Sequence, residues 1–306
     1  MRFDLISIGC LSLDTIFEVP ALPRVNSECF VRRTYNAHGG GAANVAAYSS
    51  FFGGLQVGLV SKIGTDDEGE ELVTRMKQYS VCVRGVGKVE NSMSTRIAII
   101  HDFEGNRVYL VTLGAVEELS SKDLPAGYVS DSTLFYIGPC TPRVHKEFVE
   151  VATKHRKLIA FNPGSVYFQE GHGSNFHQLL EFVDVLFVNE QEAFQYSNEE
   201  SVQAAGLALQ KLGAKSVIIT RGDFGCTVFH QSESESFPGY KVKRVCPVGA
   251  GDAFAAGFLA EFKKSGNVES AAKSGNAFAA FAITHSTIRH AAPSKDQFRQ
   301  FLQELR

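Results

Sequence analysis

Late in the chain, Gly249-Ala250-Gly251-Asp252 stands directly ahead of a run of small and apolar residues, Ala253 to Ala260, that reads as a helix. Two glycines let the backbone turn sharply and approach a ligand closely. The first amides of such a helix have no internal partner and lie at the positive end of its dipole. Phosphates occupy sites of this kind. Asp252 sets a carboxylate beside those donors, yet Asp is also a favoured N-cap. Taken alone, the tetrapeptide favours capping.

A second glycine-rich stretch, Gly39-Gly40-Gly41-Ala42-Ala43-Asn44, leads into another helical pattern. Asn44 offers an amide that both donates and accepts, which suits a polyhydroxyl ligand. Close packing of helix on strand explains the glycines equally well. Asn189 and Glu192 follow the apolar run VLFV and stand three apart at a helix start, so they share a face. Asn as a cap, with acidic residues in the first turn, is the plain account of that pair.

These residues need elements to hold them. Short apolar runs recur at Leu5–Ile8, Leu158–Phe161, Val185–Val188 and Val217–Ile219. Runs of that length without polar residues suit strands covered on both faces, as in a parallel sheet. Helical patterns fall at Ala42–Phe52, Glu68–Tyr79, Arg143–His155, Glu199–Leu212, Asp252–Lys264, Val268–Thr284 and Ser294–Leu305. The alternation predicts a doubly wound α/β fold with a mostly parallel sheet and helices on both faces. Thr95–Ile100 and Arg107–Leu113 read as a hairpin around the turn-rich 102–106. With the strand-like stretch from Glu18 to Tyr35, they predict a small β-sheet standing off the main one as a lid. Asp14, Asn162-Pro-Gly, Asn189 and Thr220-Arg-Gly-Asp223 all follow apolar runs, and ligands bind beyond the carboxyl ends of parallel strands.

The chain has 306 residues, 44% hydrophobic and 21% charged, with a formal net charge of −3. No linker, repeat or tail divides it, so one domain over 1–306 is expected, with lid segments at about 15–36 and 94–114. Thirty basic against 33 acidic residues leave no excess positive charge for nucleic acid. No apolar run reaches the ~18 residues of a membrane helix. Six scattered cysteines, none in a CxxC pair, point to a reducing, cytoplasmic setting. Neither GxGxxG, GxxxxGK[ST], HExxH nor GxSxG occurs. Dinucleotide enzymes, zinc hydrolases and serine hydrolases therefore lose their anchors. His172 and His177, five apart, do not share a helical face.

In order along the chain, these segments resemble the ribokinase/PfkB family of carbohydrate and nucleoside kinases. The resemblance rests on Asp14, GGGAANVAAYSSFFGG with VSKIGTDDEGE, STRIAII…GNRVYLV, VNEQEAF, IITRGDFG and VGAGDAFAAGFLAEF. It implies transfer of the γ-phosphate of ATP to a hydroxymethyl group, of a small sugar first and of a nucleoside as the alternative. A non-catalytic sugar- or nucleotide-binding relative is a third reading, opposed by retention of Asp252 and Glu192. The family's pattern makes Asp252 the base, with Gly249, Ala250 and Gly251 facing the transferring phosphoryl group. It assigns Asp14, Gly40, Gly41 and Asn44 to the acceptor. Thr220, Gly222, Gly225 and Asn276 fall to ATP, though Asn276 also reads as a surface helix residue. Asn189 and Glu192 would arrange Mg²⁺, largely through water. A homodimer through the lid is compatible with this resemblance.

Three departures matter. Cys246-Pro247-Val248 stands where many relatives carry Asp-Thr-Thr, which removes a carboxylate tied to a monovalent cation and argues against potassium activation. Gly41-Ala42 replaces a pair typical of sugar kinases. Asn162-Pro163-Gly164 replaces an Asp-initiated turn and is closer to nucleoside-preferring relatives.

Overall fold

The computed structural model describes residues 2–104, 106–168, 173–246, 248–284 and 294–304. Strand β1 (Leu5–Ile8) is fully buried along its length, as its unbroken apolar sequence requires. It is followed by β2 (Ser12–Glu18), β3 (Arg33–Gly39), helix α1 (Gly41–Phe51), β4 (Val57–Gly64) and helix α2 (Asp67–Gln78). Next come β5 (Cys82–Val89), β6 (Thr95–His101), β7 (Arg107–Thr112), the short α3 (Ala126–Ser130) and β8 (Leu134–Ile137). Then follow α4 (Pro142–Lys154), β9 (Leu158–Phe161), α5 (Gly173–Leu180), β10 (Val185–Asn189), α6 (Glu190–Ser197) and α7 (Val202–Lys211). Strands β11 (Ser216–Thr220), β12 (Cys226–His230) and β13 (Glu233–Phe237) precede α8 (Ala250–Ser265), α9 (Val268–Thr284) and α10 (Lys295–Glu304).

The main sheet has the order β13-β12-β11-β10-β9-β8-β1-β4-β5, parallel from β11 through β5, with β12 and β13 antiparallel at one edge. Helices cover both faces. Residues of α1, α2, α8, α9 and α10 share one core with Leu5, Leu59 and Tyr136, while α4, α5 and α7 share another with Ile6, Phe135 and Phe161. Alternate residues of one strand thus feed opposite cores. The chain leaves β1 towards β4 and β5, then returns to its other side at β8, so the direction switches at β1.

The expected small sheet is present, in the order β3-β2-β6-β7. Strands β6 and β7 form the predicted hairpin, and Asp102 shapes its turn by accepting from the amides of Glu104 (3.0 Å) and Asn106 (2.9 Å). The sheet is wider than the sequence suggested. Strand β2 begins at Ser12 and β3 runs to Gly39, so Asp14 lies within a strand and not in a turn. Nor does the sheet merely stand off. Ile16, Ala37 and Ile99 on its inner face pack with Cys246 and Val248, two residues on either side of the undescribed Pro247. All six residues of β7 are exposed.

Helix boundaries mostly shift by one residue. The stretch expected at 199–212 begins only at Val202, because Ser201 caps it by accepting from the Ala204 amide at 3.2 Å. Leu305 and His172 lie outside the described residues. No described helix is long and apolar enough to cross a membrane.

Candidate active site

The late glycine motif folds differently from its plain reading. Helix α8 begins at Ala250 and its N-cap is Gly249, in the left-handed region at φ 84°, where a side chain would be strained. Asp252 is therefore the third residue of the helix and not its cap. Its carboxylate Oδ2 accepts from Asn44 Nδ2 of α1 at 2.6 Å, across 208 residues of sequence. A Cβ placed on Gly251 would meet nothing within 4 Å, so the first turn of α8 opens onto free space. An acidic group and unpaired amides face one opening.

The first glycine stretch supplies the adjoining wall. Gly40 caps α1 at φ 93°, and a Cβ there would run into the Cys10 carbonyl. Gly41 lies so near that an added Cβ would sit 3.5 Å from Asp252 Oδ1 and 2.8 Å from the Pro139 ring. Asp14, 1% exposed, accepts from Ser12 Oγ at 2.6 Å, and its carboxylate fills the space that a side chain on Gly39 would take. Asp14 abuts Gly39, and from there the chain of contacts runs through Gly40, Gly41 and Asn44 to Asp252.

Asn189 and Glu192 form a reciprocal capping box at the start of α6. Asn189 Oδ1 accepts from the Glu192 amide and Glu192 Oε2 from the Asn189 amide, both at 2.9 Å. The capping account is correct as far as it goes. Burial and then the nearby Asp252 carboxylate push the Glu192 carboxyl upward, partly offset by Asn189. Two acidic groups close enough to interact have the chemistry to suit a hydrated cation.

Thr220 ends β11 directly beside Asn189 in the parallel register. The loop beyond it makes a single turn over Gly222–Phe224, and Arg221 Nε meets Glu190 Oε2 at 3.2 Å. Gly225, at φ 83°, lies against residues 237–239. Asn276 holds that same segment, since its Nδ2 donates to the carbonyls of Phe237 and Pro238, each at 3.1 Å. Asn276 is 5% exposed, which corrects the surface reading. The four nucleotide candidates therefore meet in one corner. Asn189 and Glu192 connect that corner to Asp252.

Two supports beneath this crevice left no mark in the sequence. His145 of α4, fully enclosed, bonds the Gly138 carbonyl through Nε2 and the Tyr167 hydroxyl through Nδ1, both at 3.0 Å. The carbonyl can only accept, so Nε2 carries the hydrogen. Burial holds this imidazole down at about 4. Tyr136 of β8 is the other. Burial first, then the Asp252 carboxylate, push its phenol well above the ordinary value, with Glu192 adding to the rise, so it stays a neutral donor. A signal for either would have required knowing which strands adjoin.

The sequence profile of the pfkB carbohydrate kinase family matches residues 2–295. A cytidine kinase of Thermococcus kodakarensis is 32% identical over 277 residues, 89% of this chain and 93% of that protein. The ribokinase of Thermotoga maritima superposes with a TM-score of 0.84 at 24% identity, covering 98% of this chain and 99% of the other. An Escherichia coli structure in complex with ATP and Mg²⁺ gives 0.82 at 20% identity over 99% of both chains.

Proposed function

The chain belongs to the pfkB carbohydrate kinase family, sugar and nucleoside kinases among them, and from that premise we propose that it phosphorylates the hydroxymethyl group of a nucleoside's ribose at the expense of ATP. The observation that carries this reading is the Asp252 carboxylate, oriented by Asn44 at the open first turn of α8. Asp252 takes the proton of the acceptor hydroxyl as its oxygen attacks the γ-phosphorus, and the bond from that phosphorus to the β–γ bridging oxygen breaks to release ADP. The amides of Gly249, Ala250 and Gly251 meet the charge on the transferring group. Phosphoryl transfer is mainly positioning and electrostatics, so preorganised donors matter more than a strong base.

Asp14, Gly40, Gly41 and Asn44 hold the ribose hydroxyls, for which a carboxylate and an amide are suited. Thr220, Gly222, Gly225 and Asn276 hold ATP, and Asn189 with Glu192 would hold a hydrated Mg²⁺, which would neutralise charge on its phosphates. The apolar Cys246 and Val248 offer no charge to a monovalent cation. Six free thiols suit the cytoplasm. The small sheet acts as the lid, excluding water from the transfer.

A nucleoside is favoured over a free sugar by the 32% identity to a cytidine kinase and by the Asn162-Pro163-Gly164 turn, in which Asn162 Oδ1 accepts from the Gly164 amide at 3.0 Å. ADP release measured over a panel of nucleosides, pentoses and hexoses tests this. Pyrimidine or purine nucleosides are expected to give the highest kcat/KM. A free pentose turned over faster than every nucleoside would move the assignment to a sugar kinase, and silence across the panel would remove the kinase reading.

Val108, Tyr109, Leu110 and Val111 of β7 stand 40–58% exposed on an edge strand, an arrangement that invites pairing with another chain. The lid edge is accordingly the proposed contact of a homodimer. Sedimentation is expected to show a dimer that Leu110→Glu dissociates. A wild-type monomer at all concentrations would rule it out.

A further inference from the structure

Buried tyrosines in this protein find partners for their oxygens. Tyr128 donates to the Cys82 carbonyl at 2.9 Å, Tyr167 is bonded to His145, and Tyr196 donates to the Gly164 carbonyl. Tyr136 does not. It is 0% exposed, and its hydroxyl has no hydrogen-bond partner among the described residues. The Asn162 side chain lies against that oxygen without meeting hydrogen-bond geometry, and the carboxylates of Asp252 and Glu192 are its charged neighbours. Gly138 makes room for its ring, since a Cβ there would sit 3.0 Å from Tyr136 Cε1.

An unpaired buried hydroxyl costs stability, and phenylalanine would fill the same ring space without that cost. Here the residue is packed in the core shared by α1 and α8, within electrostatic reach of the two acidic side chains assigned above to base and cation. Ionised carboxylates can only accept, and beside them this hydroxyl is a neutral donor whose hydrogen is not taken up by a described residue. We propose that the Tyr136 hydroxyl is a positioning donor kept for the loaded site, where it donates to an oxygen of bound Mg·ATP, either of phosphate or of the metal's hydration water. The proposal rests on the phosphotransfer reading. Binding then satisfies a group that the free protein leaves unpaired, and part of the affinity for Mg·ATP comes from that relief.

The test is thermal unfolding of wild type and Tyr136→Phe, each free, with Mg·ATP, and with ATP plus a chelator, alongside steady-state kinetics. The free variant is expected to melt no lower than wild type. Its increment on adding Mg·ATP shrinks to less than half, and KM for ATP rises about tenfold while KM for the acceptor holds. Loss of increment with Mg·ATP only identifies hydration water as the acceptor, and loss with both ligands identifies a phosphate oxygen. Equal increments in the two proteins would mean that the hydroxyl is only an unsatisfied core group, and the assignment falls while the kinase reading stands. A wild type that gains nothing from Mg·ATP takes both down together.

Discussion

Asp252→Asn is expected to lower kcat about 10³-fold, within the range that a positioned general base contributes. The variant should keep its fold, because the new amide retains an oxygen that can accept from Asn44 Nδ2, as Oδ2 does at 2.6 Å. Binding of Mg·ATP should persist, since removing one negative charge near the phosphates does not weaken an anion site. Coupled ADP release gives the rate, and the thermal shift with Mg·ATP gives binding. Turnover within tenfold of wild type would show that the acceptor hydroxyl reaches phosphorus without this carboxylate.

Stability at acid pH should depend on His145. Its folded value of about 4 lies below the ordinary 6.5, so between those values the unfolded chain binds the proton that the folded one refuses. The contribution is complete above pH 6.5 and is lost as pH falls towards 4. The difference between those values corresponds to about 3 kcal/mol. Urea unfolding of wild type and His145→Gln at pH 7.5 and 4.5 measures it. The wild type should lose about 3 kcal/mol more than the variant across that interval, and equal losses would show that the imidazole is not the acid-sensitive group. Activity should weaken over the same range, because His145 fixes Gly138 and the next residue, Pro139, forms the wall against Gly41.

Much of the fold could be read from local sequence. LISI, LIAF, VLFV and VII are buried parallel strands because each lies between two helical layers, which leaves no face for polar residues. Strand β13, ESESF, escaped because it sits at an exposed antiparallel edge where glutamates and serines face water. Helix α5 escaped for want of a clear start signal, and Ser201, not Glu199, sets the start of α7. The site divides in the same way. Glycine-rich turns announce themselves locally, since few other residues can take φ near 90°. Asn276 looks like a surface residue because its partners, Phe237 and Pro238, arrive from 39 and 38 residues away. Tyr136 gains its meaning only from Asp252 and Glu192, which lie far from it in sequence. Its neighbours in sequence say nothing of carboxylates.

One seam ties the ends of this arrangement together. The inner face of the small sheet is wedged against Cys246 and Val248, and Val248 precedes the left-handed turn at Gly249. Close-packed side chains transmit displacement because they have no slack to absorb it. A tilt of the small sheet would therefore move the turn at Gly249 with it, through a hinge made of five apolar side chains.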